Sequence, residues 1–445
     1  MHLVRAHREV PTVLLVGVAV GGVVVGALAT GVPFEIAVAT AVLAGATAVG
    51  LRVALRRILS RRTTPADAPR AVTPPSAAAD PARRRLIVAG SAGVASALAA
   101  GAVGRLSAAA PAVLGAQGAH AGHDDPAAHG GGTVGEVDHA RNGFDPSAIL
   151  EDWDPGRVST LPGGQTLREY LIIAEDRTIE VAPGVFFEAW TYNGRVPGPT
   201  IRAREGDRVR VEFVNGGSHP HTIHFHGIHS AAMDGVPGQG AGNIAPGQST
   251  VYEFDAFPFG CHLYHCHTSP LKRHIHKGLY GAFVIEPDPA RHPDQRALAE
   301  RRTLDGARAA GIRELLIVMN GFDTNFDGEN EIYAANTVAF HYAHHPVRIG
   351  TDDDVRVYLV NVTEFDPLNS LHLHANFFDY YDHGTTLEPT SRTIDTVAQI
   401  QAQRGILEFS YRGYEPGQYM FHAHQSEFVE LGWMSLFDVV PGRTT

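Results

Sequence analysis

Histidine is unevenly distributed along this chain: of 25 copies, ten fall between His219 and His276. Four His-X-His pairs stand out, His224/His226, His265/His267, His372/His374 and His422/His424. On a strand, residues i and i+2 share a face, so each pair sets two imidazoles side by side. Imidazole suits copper, zinc, iron and nickel, and eight rings in two related regions could surround several ions. Cys266 narrows the choice. It lies between His265 and His267, hence on the opposite face, with its sulfur directed away from the paired rings into its own domain. A thiolate with two histidines and a weak axial ligand is the donor set of a blue-copper electron-transfer site. His221, offset from the pair in His221-X-X-His224-X-His226, supplies one histidine; His274, eight residues after Cys266, supplies the other, with Leu279 in the axial place. His276 competes with His274, since both would lie on one strand face. One peptide segment would then join a one-electron site to a multi-ion site.

The elements that must position these residues read as β. From about Leu167 the chain runs in short alternating stretches between Gly/Pro turns, such as Arg208–Val214 and Thr250–Phe254, which predicts a sandwich or barrel, not βαβ units. Residues 289–311 predict a short helical connector. The β region after it echoes the one before: Asp207–Asn215 returns as Asp354–Asn361, His224-Phe-His226 as His372-Leu-His374, Val251–Phe254 as Ile406–Phe409, and His265-Cys-His267 as His422-Ala-His424. Landmarks repeated in one order predict a duplicated domain, over 165–288 and 312–441.

Over roughly residues 165–440 the sequence resembles the multicopper oxidases, specifically their two-domain laccase-like members. The likeness is carried by Asn193-Gly-Arg-Val-Pro-Gly-Pro-Thr200, the His-X-X-His-X-His run ending at Gly227, Asp234-Gly-Val-Pro237 and His265-Cys-His267. The resemblance implies an all-β protein of two cupredoxin-like Greek-key β-barrel domains with about four copper ions per chain. It implies type 1 copper at His221, Cys266 and His274, type 2 copper at His224 and His372, and a type 3 pair at His226, His265, His267, His374, His422 and His424. It implies an oxidase that takes single electrons from a small reducing substrate (a phenol or a reduced metal ion) and reduces O₂ to water at a trinuclear cluster. A homotrimer, first domain of one subunit against second domain of the next, is implied as well. Ala423 and Asn369 replace the type 1 cysteine and histidine in the second domain, so that domain is expected to lack a blue-copper site. The Cys266–His274 spacing and the run His274-Ile-His-Lys-Gly-Leu279 resemble copper nitrite reductases, the alternative reading. Those enzymes, however, carry aspartate in place of His224 and methionine in place of Leu279. A non-catalytic copper electron-transfer protein is the alternative of another class.

Asp234 and Glu427 are carboxylates near ligand histidines in sequence and are candidates for proton relay. Asp323-Thr-Asn-Phe-Asp327-Gly328 mimics the start of a calcium loop, but its twelfth position would be Ala334, so a turn is expected. His219, His229, His262, His341, His344, His345 and His383 carry no partner pattern and are read as structural. The net charge of −11 and 19% charged residues disfavour a nucleic-acid binder and a long disordered chain. Two cysteines cannot staple the fold, and five methionines argue against a methionine-rich Cu(I) docking surface. Residues 10–34 and 36–51 are uncharged with arginine flanks, which predicts a transmembrane hairpin within 1–62. Residues 63–119 read as a Pro/Ala-rich linker followed by a twin-arginine-like signal or anchor at Arg83-Arg84-Arg85, placing the rest of the chain outside the cytoplasm. Residues 120–164, rich in Gly, His and Asp, read as a flexible tether.

Overall fold

The computed structural model describes residues 135–444; the expected hairpin, linker and export signal lie outside the described residues. Among the described residues no helix is long and apolar enough to cross a membrane. They are mostly β, in cupredoxin-like sheets.

Alternation builds the first domain. In Arg208–Asn215 the side chains of Val209, Val211 and Phe213 are fully buried, whereas the intervening positions reach solvent. This strand pairs parallel with Thr166–Ala182, from Leu167 opposite Arg208 to Ala174 opposite Asn215, and antiparallel with Ser249–Asp255. The facing sheet runs in the order Trp153–Asp154, Thr200–Arg204, Tyr280–Glu286, Gly260–His265, His224–Phe225. Between the sheets lies an aromatic core that includes Phe213, Phe225, Tyr252, Tyr264 and Phe283.

The second domain repeats this plan. Ile312–Phe322 pairs parallel with Asp354–Asn361, which pairs antiparallel with Arg404–Ser410. Opposite, Met434–Val440, Gly417–His422 and Leu368–Leu373 are neighbours, as Tyr280–Glu286, Gly260–His265 and His224–Phe225 are in the first domain.

The two domains share buried contacts that hold them in one arrangement. Val284 and Ala282 pack in one apolar cluster with Leu316, Val318 and Ile406. Beside it, Arg202 contacts Glu286 at 2.6 Å and Glu314 at 2.9 Å, and Arg356 contacts Glu314 at 2.9 Å and Glu408 at 2.7 Å. Charges this deep persist only because each guanidinium has carboxylate partners.

From residue 135 the expected tether is folded. Helices His139–Asn142 and Pro146–Ile149 are capped by the carboxylates of Asp138 and Asp145, and Trp153–Asp154 adds as an edge strand. Ile149 and Leu150 are buried, and the Leu150 carbonyl accepts from Leu316 N–H at 2.8 Å. Apolar anchors spaced through a polar stretch decide the outcome, and its glycine-rich average conceals them. Residues 296–310 form two short helices, Arg296–Arg302 and Leu304–Ala310, the second capped by Thr303 and ended by Gly311.

Candidate metal centre

Strand register brings the paired histidines together. His224 lies opposite His265 across one antiparallel pair, and His372 lies opposite His422 across the equivalent pair. In the first quartet the ring centroids of His224, His226, His265 and His267 lie 5.0–5.6 Å apart in their closest combinations. The second quartet reproduces the pattern at 4.9–6.3 Å. In each, two Nε2 atoms face at 2.8 Å: His226 with His265, and His374 with His422.

The outward nitrogens are anchored in the way ligand histidines require. His224 Nδ1 donates to the Asp234 carbonyl at 2.8 Å, and His265 Nδ1 donates to the Cys266 carbonyl at 2.8 Å. His372 Nδ1 contacts the Asp395 carbonyl and Thr396 Oγ1, and His422 Nδ1 donates to the Ala423 carbonyl. A proton fixed on Nδ1 leaves the Nε2 lone pair for a metal. Burial, reinforced by neighbouring rings, lowers His226 to about 2 and His265 and His422 to about 4, so all three are neutral at pH 7.

Gly235 makes the Asp234 anchor possible. With φ at +67°, it packs so closely on this strand that a Cβ would stand 1.8 Å from the Ile223 oxygen. Asp234 Oδ1 also lies 3.0 Å from His224 Nδ1 and 3.6 Å from His229 Nε2. Glu427 is elsewhere: exposed in the first turn of helix Ser426–Glu430, it makes no side-chain hydrogen bond to a histidine. Its neighbour Gln425 is the one held inward, accepting from Ser370 Oγ at 2.5 Å.

On the other face of the Cys266 segment, Cys266 Sγ lies 3.3 Å from His274 Nδ1 and 4.0 Å from His221 Nδ1, with the two nitrogens 3.2 Å apart. A triangle of that size fits three donors around one ion at ordinary copper–nitrogen and copper–sulfur distances. Burial lowers His221 to about 3 and His274 to about 4, and it raises the Cys266 thiol. Hydrogen bonds from Thr268 and Thr222 oppose that rise, the Thr222 N–H reaching the sulfur at 3.4 Å. Leu279 is fully buried in the same cluster, and its carbonyl accepts from Cys266 N–H at 2.9 Å.

His274 and His276 do not share a face, because Leu271–His276 is a helix and not a strand. Two residues along a helix turn a side chain roughly 200°. His276 therefore points to the second domain, where its Nε2 accepts from Asp323 N–H at 2.9 Å. The Asp323 carboxylate is itself spent on turn hydrogen bonds from Asp327 N–H and Gly328 N–H, which closes the calcium-like stretch as a turn.

Three contributors were not singled out from the sequence. Thr222 spans both centres: its N–H meets Cys266 Sγ and its Oγ1 accepts from His267 N–H at 2.9 Å. Ser370 takes the equivalent place, accepting from His424 N–H at 2.8 Å. Aligning His221-Thr222-X-His224 with Asn369-Ser370-X-His372 would have exposed this recurring hydroxyl. Trp190 packs against His221 at 5.2 Å and His274 at 4.7 Å, with the exposed His219 on it at 4.7 Å.

The quartets do not meet inside the chain. The first opens on a cavity of about 240 Å³ whose second-domain wall is Val362, Gln401 and Ala402. His374 and His424 of the second quartet are exposed, and among the described residues no ring contact links the two sets.

Two family models, each described as multicopper oxidase, match residues 174–290 and 314–443. A solved structure of a multicopper oxidase is 54% identical, covering 68% of this chain and 100% of its own, with a TM-score of 0.62. A copper-containing nitrite reductase of Neisseria meningitidis is 40% identical over 25% of this chain and 28% of its own length. Laccase-2 of Botryotinia fuckeliana is 39% identical over 30% of this chain and 23% of its own. The chain thus spans under a third of the length of these curated relatives.

Proposed function

Because the chain belongs to the multicopper oxidases, a family of copper-dependent oxidoreductases, we propose that it is a laccase-like oxidase that uses O₂ as acceptor and a phenol-like compound or reduced metal ion as donor. The donor sets fit copper: a buried thiol facing two imidazole nitrogens, and imidazoles whose Nδ1–H groups are fixed so that Nε2 is free. His221, Cys266 and His274 would hold type 1 copper beside Leu279; His224 and His372 would hold type 2; His226, His265, His267, His374, His422 and His424 would hold the type 3 pair. Bound there, about four copper ions supply one-electron oxidation of the donor and four-electron reduction of O₂ to water.

The chain's own residues do the positioning. Cys266 presents sulfur to one centre while its carbonyl orients His265 toward the other, which gives the shortest covalent and hydrogen-bonded link between them. Thr222 ties the same two centres through its N–H and hydroxyl. The wall of Leu271, Ile275 and Val362 keeps the first quartet's cavity apolar opposite its rings. Asp234, whose carboxylate lies beside His224 and His229, would take and return protons.

The observation that carries the reading is that His265 and His267 leave the Cys266 segment toward His224 and His226 of the paired strand, while the Cys266 sulfur between them meets His221 and His274 on the other side. His224, where nitrite reductases have aspartate, is the feature that favours O₂ over nitrite. The exposed half-site at His374 and His424 supports assembly of the eight-histidine site between subunits of a homotrimer. The Arg83-Arg84-Arg85 run and the apolar segments before it support export and a membrane anchor. Oxygen uptake by the copper-loaded chain with a phenol or Fe(II), with about four coppers per chain, tests the assignment. Two coppers per chain with nitrite consumption and no oxygen uptake would replace it by the nitrite reductase reading.

A further inference from the structure

A separate cluster lies away from both copper centres. His139, in the short helix His139–Asn142, and Asp145, capping the next helix, meet His341, which opens helix His341–His344 of the second domain. One ring nitrogen from each histidine and one carboxylate oxygen of Asp145 all lie within 4.8 Å of one another. His341 Nε2 and Asp145 Oδ1 are 3.5 Å apart, long for a hydrogen bond but close to the separation of two ligands on one tetrahedral ion. The His139 and His341 rings meet edge to face at 5.0 Å. His139 Nδ1 is buried without a hydrogen-bond partner, an expensive state for a polar nitrogen that a bound ion would relieve. His341 is 4% exposed whereas the Asp145 carboxylate is half exposed, so the cluster has a fixed inner ligand and an open outer side.

We propose that His139, Asp145 and His341 form a binding site for one divalent transition ion of the zinc class, with water completing the shell, which clips the segment before the first β domain onto the second. The donors are two imidazoles and one carboxylate, a set that zinc accepts and calcium or magnesium does not favour. Ser147 Oγ, 2.7 Å from His341 Nε2, holds the ring in place in the metal-free state and yields that nitrogen when the ion enters. The clip adds to Leu150 and Trp153, which already dock the segment through backbone pairing.

The test uses the whole copper-loaded protein, stripped of copper beyond the complement that gives full blue absorbance, with zinc as the probe, because copper binds these donor types more tightly and any excess would compete for the new site. Elemental analysis after desalting should find about one zinc per chain beyond the copper complement. The double variant His139→Ala/Asp145→Asn, in which Asn keeps the helix cap, should bind zinc at least about tenfold more weakly, with the blue absorbance unchanged. Zinc should also slow amide exchange across residues 137–150 in the parent and not in the variant. Absence of the extra zinc, or equal zinc in parent and variant, overturns the site; zinc bound with unchanged exchange overturns the clip.

Discussion

If the two quartets are halves of one centre shared between neighbours, activity must be recoverable from two inactive chains. One variant, Cys266→Ser, disables the first domain; another, His374→Ala, disables the second. His374 is exposed and Cys266→Ser is nearly isosteric, so neither change should cost the fold. In a ring, each junction joins the first domain of one subunit to the second domain of the next. Any ring of three containing both variants has one junction where an intact first domain meets an intact second domain, whichever variant is in the majority. Co-expression with two tags and tandem purification should therefore yield about one third of the parental oxygen-uptake rate from chains that are separately inactive; a ring of two would give about one half. The separation of the quartets motivates this expectation: Val362, Gln401 and Ala402, and no histidine of the second quartet, line the second-domain side of the first quartet's cavity. Background rates in verified mixed oligomers would refute intersubunit assembly.

Cys266→Ser alone should abolish the blue absorbance and oxygen uptake together; a colourless variant with full turnover would break the link drawn through Cys266. Thr222→Val keeps the N–H to sulfur and loses the hydroxyl on His267 N–H, so the blue band should persist while stability falls by about 1–3 kcal/mol, read from urea midpoints. Glu314→Gln leaves Arg202 and Arg356 short of a buried counter-charge and should cost about 3–5 kcal/mol in the same assay. In the metal-free protein, burial holds His221, His265 and His274 at about 3, 4 and 4, below their usual 6.5. Between those values the unfolded chain binds more protons than the folded one, so stability should be complete above about pH 6.5 and fall as pH drops toward 4. A midpoint flat across that window would count against the buried, neutral histidines.

Much of the centre was legible because a metal site on paired strands leaves a period-two mark. Alternation puts each His-X-His pair on one face and repeat order makes the two domains match; the register that sets His224 opposite His265 and His372 opposite His422 comes from the structure. Where the period changed, the reading failed: a single turn of helix at Leu271–His276 separates His274 from His276, and six residues carry too little periodicity to announce it. The folded stretch from residue 135 was hidden for a related reason, since Ile149, Leu150 and Trp153 act one at a time through tertiary contacts. Glu427, three places from His424 in sequence, is exposed like His374 and His424, and a helix starts between it and His424.

The second domain shows how the counterpart of the Cys266 triad can be filled by other side chains while the histidine quartet beside it is kept. Cys266 N–H donates to the Leu279 carbonyl, and Ala423 N–H donates to that of Trp433, so Trp433 stands where Leu279 stands in the first domain. Its indole is fully buried in one cluster with Ala423, and its Nε1 donates to the Ser370 carbonyl at 3.2 Å. Asn369, in the place of His221, spends its amide on Thr363 Oγ1 and Ser370 N–H. The polar atoms that remain are satisfied, so the interior bears no penalty for the missing metal. Ser370 meanwhile still holds the His424 backbone as Thr222 holds that of His267. The hydroxyl recurs where the thiolate does not because it serves the quartet on the other face, so under the proposed scheme the first domain would carry the blue-copper triad and half of the shared cluster, and its copy the other half alone.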